Sequence, residues 1–383
     1  MALSNFESKA AHKELDAIFV SVELSKKTWL VTSISPGAGE KLSRHTIPGG
    51  DIAALLDRLG QLKRKARDRT GRKYPFIIIQ EAGLDGFWVH RVLEAEGHES
   101  HIVDAASIAT SRRKRRVKTD RLDGESLIRA LLAFKRGEPR VCSMLHVPSP
   151  VEEDRRRIVR ERKVLMEERI RHSNRIKGLL FSQGITDYEP LRRDRRERLE
   201  TLHTGDGRAL PHHMKRQVLR ELDRMEMLLA QIKAVEAERD AMLAEERQSA
   251  REVAVLSKVV GVGPEFAAVL WGEGLFRHFG NRRQVAAYAG LAPTPWQSGS
   301  IDREQGIGKS GNPRLRSTLL EMAWLWLRHQ PGSLLSRWFN ERVAQNGGRF
   351  KKVMITALAR KLVVALWKYV SAGVVIEGAV VRP

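Results

Sequence analysis

The sequence predicts an α/β fold in its first part and a mainly helical fold behind it. Three observations carry this. Residues 17–147 read in the order three strands, helix, strand, helix, strand, helix. Residues 151–252 hold two long charged helical patterns around a polar insert. Residues 253–383 hold helical patterns broken by glycine turns. Residues 1–16, without an apolar core, read as a disordered N-terminus.

Each element has a local reason. "AIFVSVELSKKTWLVTSIS" is rich in Val, Ile, Phe, Trp and Thr and turns at "SKK", so it reads as a β-hairpin. "SRHTIP" is a third strand. Asp51 is placed to cap a helix whose apolar residues are Ile52, Leu55, Leu56 and Leu59. "YPFIIIQEAG" is a continuous apolar run, as expected of a strand buried on both faces. A helix ended by Gly97, the strand "ESHIVDA" and a helix through "DRLDGESLIRALLAF" follow. Pro148 and Pro150 punctuate a boundary. The second long helix carries a stripe of Val218, Leu222, Met225, Leu229 and Ile232, which then shifts to Val235 and Met242. That spacing is a coiled-coil seam with a slip. It serves equally an intramolecular helix pair or a dimerisation arm.

Charge narrows the function. Lys and Arg number 68 against 46 Asp and Glu, a net +22. Such a balance calls for a polyanion, either nucleic acid or an anionic membrane. The membrane is the weaker choice, because the most apolar tail is interrupted by Arg360, Lys361 and Lys368. The N-terminus does not resemble a secretory signal. The single cysteine, Cys142, excludes an internal disulfide and a cysteine-based zinc cluster. The expectation is a cytoplasmic, nucleoid-associated protein.

The stretch "RRKRRVKTDRLDG" sets a basic run against two aspartates. Asp120 and Asp123 are three apart and share a helix face. Singly they read as solvated charges. Glu81 ends a buried strand, where active-site residues sit in open α/β sheets. Glu23 lies on the first strand, with Val22 and Leu24 facing the other side. These four acids converge only on an RNase-H-like sheet, and they repel one another unless divalent cations fill the site. Oxygen ligands and phosphates suit Mg²⁺, and two ions orient a phosphodiester. Arg112, Arg113, Lys114, Arg115, Arg116 and Lys118 then form a phosphate clamp beside it.

Other motifs are weaker. Gly261 and Gly263 suit a helix-hairpin-helix turn whose amides hold a phosphate, or an ordinary tight connection. "GIGKSGN" imitates a P-loop, but Arg303 stands where the first glycine is required and no strand is expected before it. "YAGLAPTPWQSGS" reads as a rigid loop with Lys309, Arg314 and Arg316 nearby. A serine there could attack a phosphate, although loop serines are mostly turn formers.

Taken in order, "VELSKKTW", "IIIQEAG", "VKTDRLDGESLIRAL", "SNRIKGLLFSQGI", "VVGVGPEFAAVLWGEG", "VAAYAGLAPTPWQSG" and "GKSGNPRLRSTLLEMA" resemble the DEDD transposases of bacterial insertion sequences. These are the IS-one-ten group and the related pilin-gene invertases. The resemblance covers roughly 17–370. It implies a RuvC-like front domain, a coiled-coil middle and a serine-bearing helical domain. It maps the acidic tetrad onto Glu23, Glu81, Asp120 and Asp123 with Mg²⁺, and the nucleophile onto Ser298. It further implies target and donor DNA, a structured bridge RNA, and a dimer or tetramer in which acids and serine come from different protomers. Asn174, Arg175 and Lys177 join the expected nucleic-acid contacts. One departure stands out. The family's first acid is usually Asp, and Glu23 carries its carboxylate outward by about one carbon–carbon bond. Activity is expected to survive this. The rival expectations are a RuvC-like endonuclease that hydrolyses branched DNA, and a non-catalytic nucleic-acid-binding protein.

Overall fold

The computed structural model describes residues 16–39, 41–83, 86–108, 120–138, 141–275, 279–298, 301–308, 311–345 and 347–382. The chain divides into two compact units, Met1–Val147 and Pro148–Pro383. The first sixteen residues fall almost wholly outside the described set.

In the first unit, β1 (Ile18–Glu23), β2 (Thr28–Ile34), β3 (Ser43–Pro48), β4 (Phe76–Glu81) and β5 (Glu99–Val103) form one sheet in the order β3-β2-β1-β4-β5. The first three strands pair antiparallel, and β4 and β5 run parallel to β1. Three helices complete the unit: α1 (Ile52–Thr70), α2 (Trp88–Ala95) and α3 (Asp120–Lys135). Asp51 caps α1 as its sequence predicts, accepting from the Ala54 amide at 2.9 Å.

Both sheet faces are buried, which explains the unbroken apolar run of β4. Ile18, Val20 and Val22 of β1 and Phe76 and Ile78 of β4 pack with Leu55, Leu59 and Leu62 of α1. The alternate residues, Phe19, Ile77 and Ile79, pack with Leu127, Ile128 and Leu131 of α3. Each such buried aliphatic side chain contributes about 1.5–3 kcal/mol.

The second unit opens on α4 (Pro150–Phe181), whose start is closed by a capping box between Ser149 and Glu152. The short helix α5 (Arg195–Glu200) and the long α6 (His212–Ser249) follow. Helices α4 and α6 pack antiparallel, as their side-chain pairs show: the ion pairs of Arg155 with Glu246 and Arg162 with Glu236, and the hydrogen bond between His172 and Glu221. The α6 stripe of Val218, Leu222, Met225, Ile232 and Val235 is buried with Leu165, Ile176 and Leu180 of α4. Within the chain, then, the stripe serves a helix pair. Leu228 and Leu243 are fully buried in place of the expected Leu229 and Met242. The polar insert, which carries little pattern in sequence, buries Ile185, Tyr188, Leu199 and Leu210 against this pair. Burial pushes the Tyr188 hydroxyl up to about 12, and it donates to the Arg195 carbonyl at 2.7 Å.

Helices α7 (Arg251–Lys258), α8 (Pro264–Leu270), α9 (Arg282–Tyr288), α10 (Pro313–His329), α11 (Leu334–Gln345) and α12 (Lys351–Ala372) share one core, centred on Leu319, Trp326, Leu358 and Leu362. A single π turn, Trp271–Leu275, extends α8. Between α9 and α10 lies a hairpin of β6 (Pro293–Ser298) and β7 (Ile301–Ile307). The sequence predicts a rigid loop here, and the structure corrects it with a strand pair. Pro293 and Pro295 disguise a strand, but proline is tolerated in a two-stranded edge hairpin, here with a bulge between them. The C-terminal tail returns to the α7–α8 turn. Val259 bridges Val381, and the Gln330 side chain donates to the carbonyls of Val260 (2.7 Å) and Val380 (2.9 Å). Among the described residues no helix is long and apolar enough to cross a membrane.

Candidate active site

Strand register brings two of the predicted acids side by side. The β1–β4 pairing runs from Ile18↔Phe76 to Val22↔Gln80, so Glu23 and Glu81 are the next positions on adjacent parallel strands. Alternation places both on the face of Phe19, Ile77 and Ile79, the face that α3 covers. Glu23 is half-buried and Glu81 exposed.

Asp120 and Asp123 stand three apart, within one turn of α3. Gly124 brings that turn down onto the sheet. The Ser21 hydroxyl donates to the Gly124 carbonyl at 3.0 Å. A Cβ at position 124 would lie 2.6 Å from the Thr32 hydroxyl oxygen and 3.3 Å from Glu23 Oε1. Only glycine lets the helix start sit this close to Glu23. Sequence reasoning named the two aspartates and missed the glycine beside them, although "LDG" inside a helical pattern is the available signal.

The donor set is oxygen only, which suits a hard divalent cation. Among the described residues, however, no three His, Cys, Asp or Glu side chains are gathered closely enough to hold a metal ion. The Asp120 side chain lies outside that set. So do Arg112, Arg113, Lys114, Arg115, Arg116, Lys118 and Lys309, and with them the proposed clamp.

In the second unit, Ser298 is the last residue of β6 and pairs in register with Ile301. Its side chain, like Ser300, lies outside what is described. The base of this hairpin is tightly built. Gly308 N–H donates to the Ala292 carbonyl at 3.1 Å, and Asn312 N–H to the Tyr288 carbonyl at 2.7 Å. Gly311 adopts φ +96°, and a Cβ there would strike the Ala287 carbonyl at 2.5 Å. Asn312 caps α10, accepting from the amides of Arg314 and Leu315. The P-loop imitation therefore resolves into a hairpin exit. A strand, β7, does precede it, contrary to expectation, but that strand is antiparallel and Arg303 still replaces the glycine.

Beneath this exit sits Glu273, 1 % exposed, in the π turn. Arg160 of α4 grips its carboxylate through Nε at 2.7 Å and Nη2 at 3.1 Å. The Asn312 amide donates to Glu273 Oε2 at 2.9 Å, and the Tyr288 hydroxyl donates to the Glu273 carbonyl at 2.8 Å. Burial alone would raise the Glu273 carboxyl, but the Arg160 guanidinium and the Asn312 amide hold it below its ordinary value. Arg160 is raised in turn, through the same pair.

The other predicted contacts vary. Gly261 takes φ +89° in the α7–α8 turn, and its missing Cβ would meet His329 Cβ at 3.1 Å. Gly263 has extended backbone at the start of α8. Arg175 pairs with Glu221 at 3.2 Å and Lys177 with Glu189 at 2.7 Å, while Asn174 is exposed. Arg314 is exposed in the first turn of α10. Arg316 is half-buried, with Nη1 3.5 Å from the Gly290 carbonyl.

Comparison with known proteins finds a family match over the region that holds this hairpin. The Transposase IS116/IS110/IS902 family matches residues 253–337, which enclose Glu273, β6, β7 and the α10 cap. The protein y4rJ of Sinorhizobium fredii, itself named a transposase, is 68% identical over 378 residues, spanning 96% of each chain. The chain belongs to the IS116/IS110/IS902 transposase family. A family 20 transposase of Pseudomonas aeruginosa is 30% identical over 81% of this chain and 89% of its own. The transposase for insertion sequence element IS1328 of Yersinia enterocolitica is 25% identical over 79% and 85%. Membership makes this chain an insertion-sequence transposase, an enzyme.

Proposed function

We propose that this transposase exchanges DNA strands through a serine nucleophile, Ser298, assisted by a carboxylate site of Glu23, Glu81, Asp120 and Asp123 on an RNase-H-like sheet. The observation that carries the reading is the shared edge: Glu23 and Glu81 end adjacent parallel strands on the face where Gly124 seats the start of α3. Four acids drawn together at this edge would repel one another without a cation, and their oxygen donors suit Mg²⁺. When bound, Mg²⁺ would supply charge stabilisation to a phosphodiester.

Ser298 Oγ forms a bond to phosphorus while the phosphorus–deoxyribose oxygen bond breaks. The serine proton goes to solvent and the departing deoxyribose oxygen takes one up. A hydroxyl from another strand then reverses the step, so the phosphodiester energy is kept. The hairpin base of Gly308, Gly311 and Asn312 holds the direction of β6, and in-line attack demands such alignment. Arg314, Arg316, Lys309, Gly261, Gly263 and the Arg112–Lys118 run are assigned to phosphate contacts. Family resemblance extends the reading to a guiding structured RNA, and to a dimer or tetramer that shares its acids and serines between protomers.

The test is a denaturing gel of labelled DNA incubated with protein, Mg²⁺ and the RNA flanking the gene. Wild type and Ser300→Ala should form a covalent protein–DNA adduct, and Ser298→Ala should form none. An adduct retained by Ser298→Ala and lost by Ser300→Ala moves the nucleophile. Cleavage by wild type without any adduct replaces the mechanism with hydrolysis.

A further inference from the structure

We propose that the cleft between α10, α11 and the start of α12 binds an unpaired base of single-stranded DNA, with Trp324 as its stacking platform. Helix α10 holds two tryptophans two residues apart. Trp326 is in the core and donates from its indole nitrogen to Ser333 Oγ at 2.9 Å. Trp324 is 42 % exposed on the other side of the helix, where the core does not need it. Its ring lines a cleft of 510 Å³, a volume within the range of small-ligand sites.

The lining chemistry selects the ligand. Phe339 meets Trp324 edge-on, with centroids 6.5 Å apart, and backs the ring from the core side. Arg328 and Lys351 provide two cations, and Asn340 provides an amide that can both donate and accept. None of the eight lining residues is acidic. Arg349, in the turn before α12, and Lys352, in its first turn, are both exposed and lie near Lys351 in sequence. An aromatic face bordered by cations is how proteins hold single strands: the ring stacks a base and the cations follow the backbone.

The Lys351 ammonium lies 5.6 Å from the Trp324 centroid. An exposed cation–π contact is weaker than base stacking, so a base displaces it and frees the lysine for the neighbouring phosphate. A second copy of this chain is a poorer occupant. It would bring like charge against Arg328 and Lys351, because the chain carries +22. DNA is the strand source because a transposase must hold strands that its own cutting has separated. This inference does not depend on which residue is the nucleophile.

The experiment measures fluorescence anisotropy of labelled oligodeoxynucleotides, single-stranded and duplex, with the full-length chain. Trp324→Ala should weaken single-strand binding by roughly 5- to 100-fold, as expected when one base stack is removed, and leave duplex binding within about twofold. Trp324→Phe should keep most of the affinity, and it guards against a folding artefact, as does an unchanged thermal midpoint. Arg328→Ala with Lys351→Ala should flatten the single-strand salt dependence by about 0.7 for each phosphate no longer neutralised. Wild-type single-strand affinity in Trp324→Ala overturns the proposal, and so does an equal weakening on duplex. A weakening confined to RNA of the same sequence assigns the cleft to RNA and overturns the DNA assignment. A change in sedimenting mass with unchanged affinity makes it an interface between copies, which also overturns it.

Discussion

The acidic edge of the first unit and the hairpin base of the second are built in opposite ways. At the acidic edge, Glu23 and Asp123 are half-buried and Glu81 is exposed, and Gly124 controls the approach of α3 to the sheet. At the hairpin base, a fully buried carboxylate is gripped by Arg160 and Asn312, while Tyr288 donates to the backbone carbonyl of the same residue, Glu273. The second arrangement consumes its charge internally and converts it into position. Two sets of carboxylates beside glycines thus differ in burial, and the proposed chemistry is assigned to the more exposed set.

The comparison is broken most severely at the acidic edge. Asp123→Ala should abolish recombination, by at least about 10³-fold if the missing stabilisation is several kcal/mol. Its thermal midpoint and DNA affinity should stay near wild type. Normal recombination by this variant in a plasmid assay would make Asp123 an ordinary surface acid.

Glu273→Gln tests the other arrangement and should lower stability as well as activity. Breaking a buried ion pair costs about 3–5 kcal/mol, and the lower end applies because Arg160 is partly exposed. Amide exchange should accelerate in β6, β7 and the α10 cap before it does in α12. The effect also has a pH sign. The folded carboxyl is held below its unfolded value, near 4.3. Its stabilisation is therefore complete above about pH 4.3 and is lost as pH falls through the folded value. Wild type should lose stability across that acid window faster than Glu273→Gln does. Parallel acid-unfolding curves would show that Glu273 contributes no charge-linked stability.

How much of this was legible in sequence follows from distance along the chain. Glu23, Glu81, Asp120 and Asp123 could be picked out because strand ends and helix starts are local patterns. Glu273 could not, because its partners Arg160 and Asn312 are 113 and 39 residues away. The β6–β7 hairpin was hidden by its prolines. The insert was hidden because Ile185, Tyr188, Leu199 and Leu210 are too sparse to show a period, yet the α4–α6 pair gathers them. The α6 stripe was legible, but its occupant was not, since either α4 or another protomer would bury the same residues.

Two smaller perturbations sharpen the contrast. Gly124→Ala should destabilise the first unit by about 1–3 kcal/mol, because the added methyl meets the buried Thr32. It should also depress recombination by more than that change in stability explains, since it lifts the helix start away from Glu23. Thermal melting and activity measured on one preparation separate the two effects. Smallest of all, Lys177→Ala should change the salt dependence of DNA binding by less than Arg314→Ala does. Lys177 is matched by Glu189 at 2.7 Å, whereas Arg314 stands exposed. Such an exposed pair contributes only about 0–1 kcal/mol to stability. An equal drop in slope in both variants would show that Glu189 yields Lys177 to phosphate.

The tie between the C-terminal tail and the α7–α8 turn bears on how this enzyme is born. Val260 leaves the ribosome long before Val380, on the order of ten seconds earlier at ordinary rates of synthesis. Throughout that interval the turn at Gly261 has no Val381 to bridge and no Gln330–Val380 clip to close it. The helical unit is therefore completed by late-made residues, and a nascent chain cannot reach its finished form before they emerge. The tie among Val260, Gln330 and Val380 is among the last contacts of this unit to form.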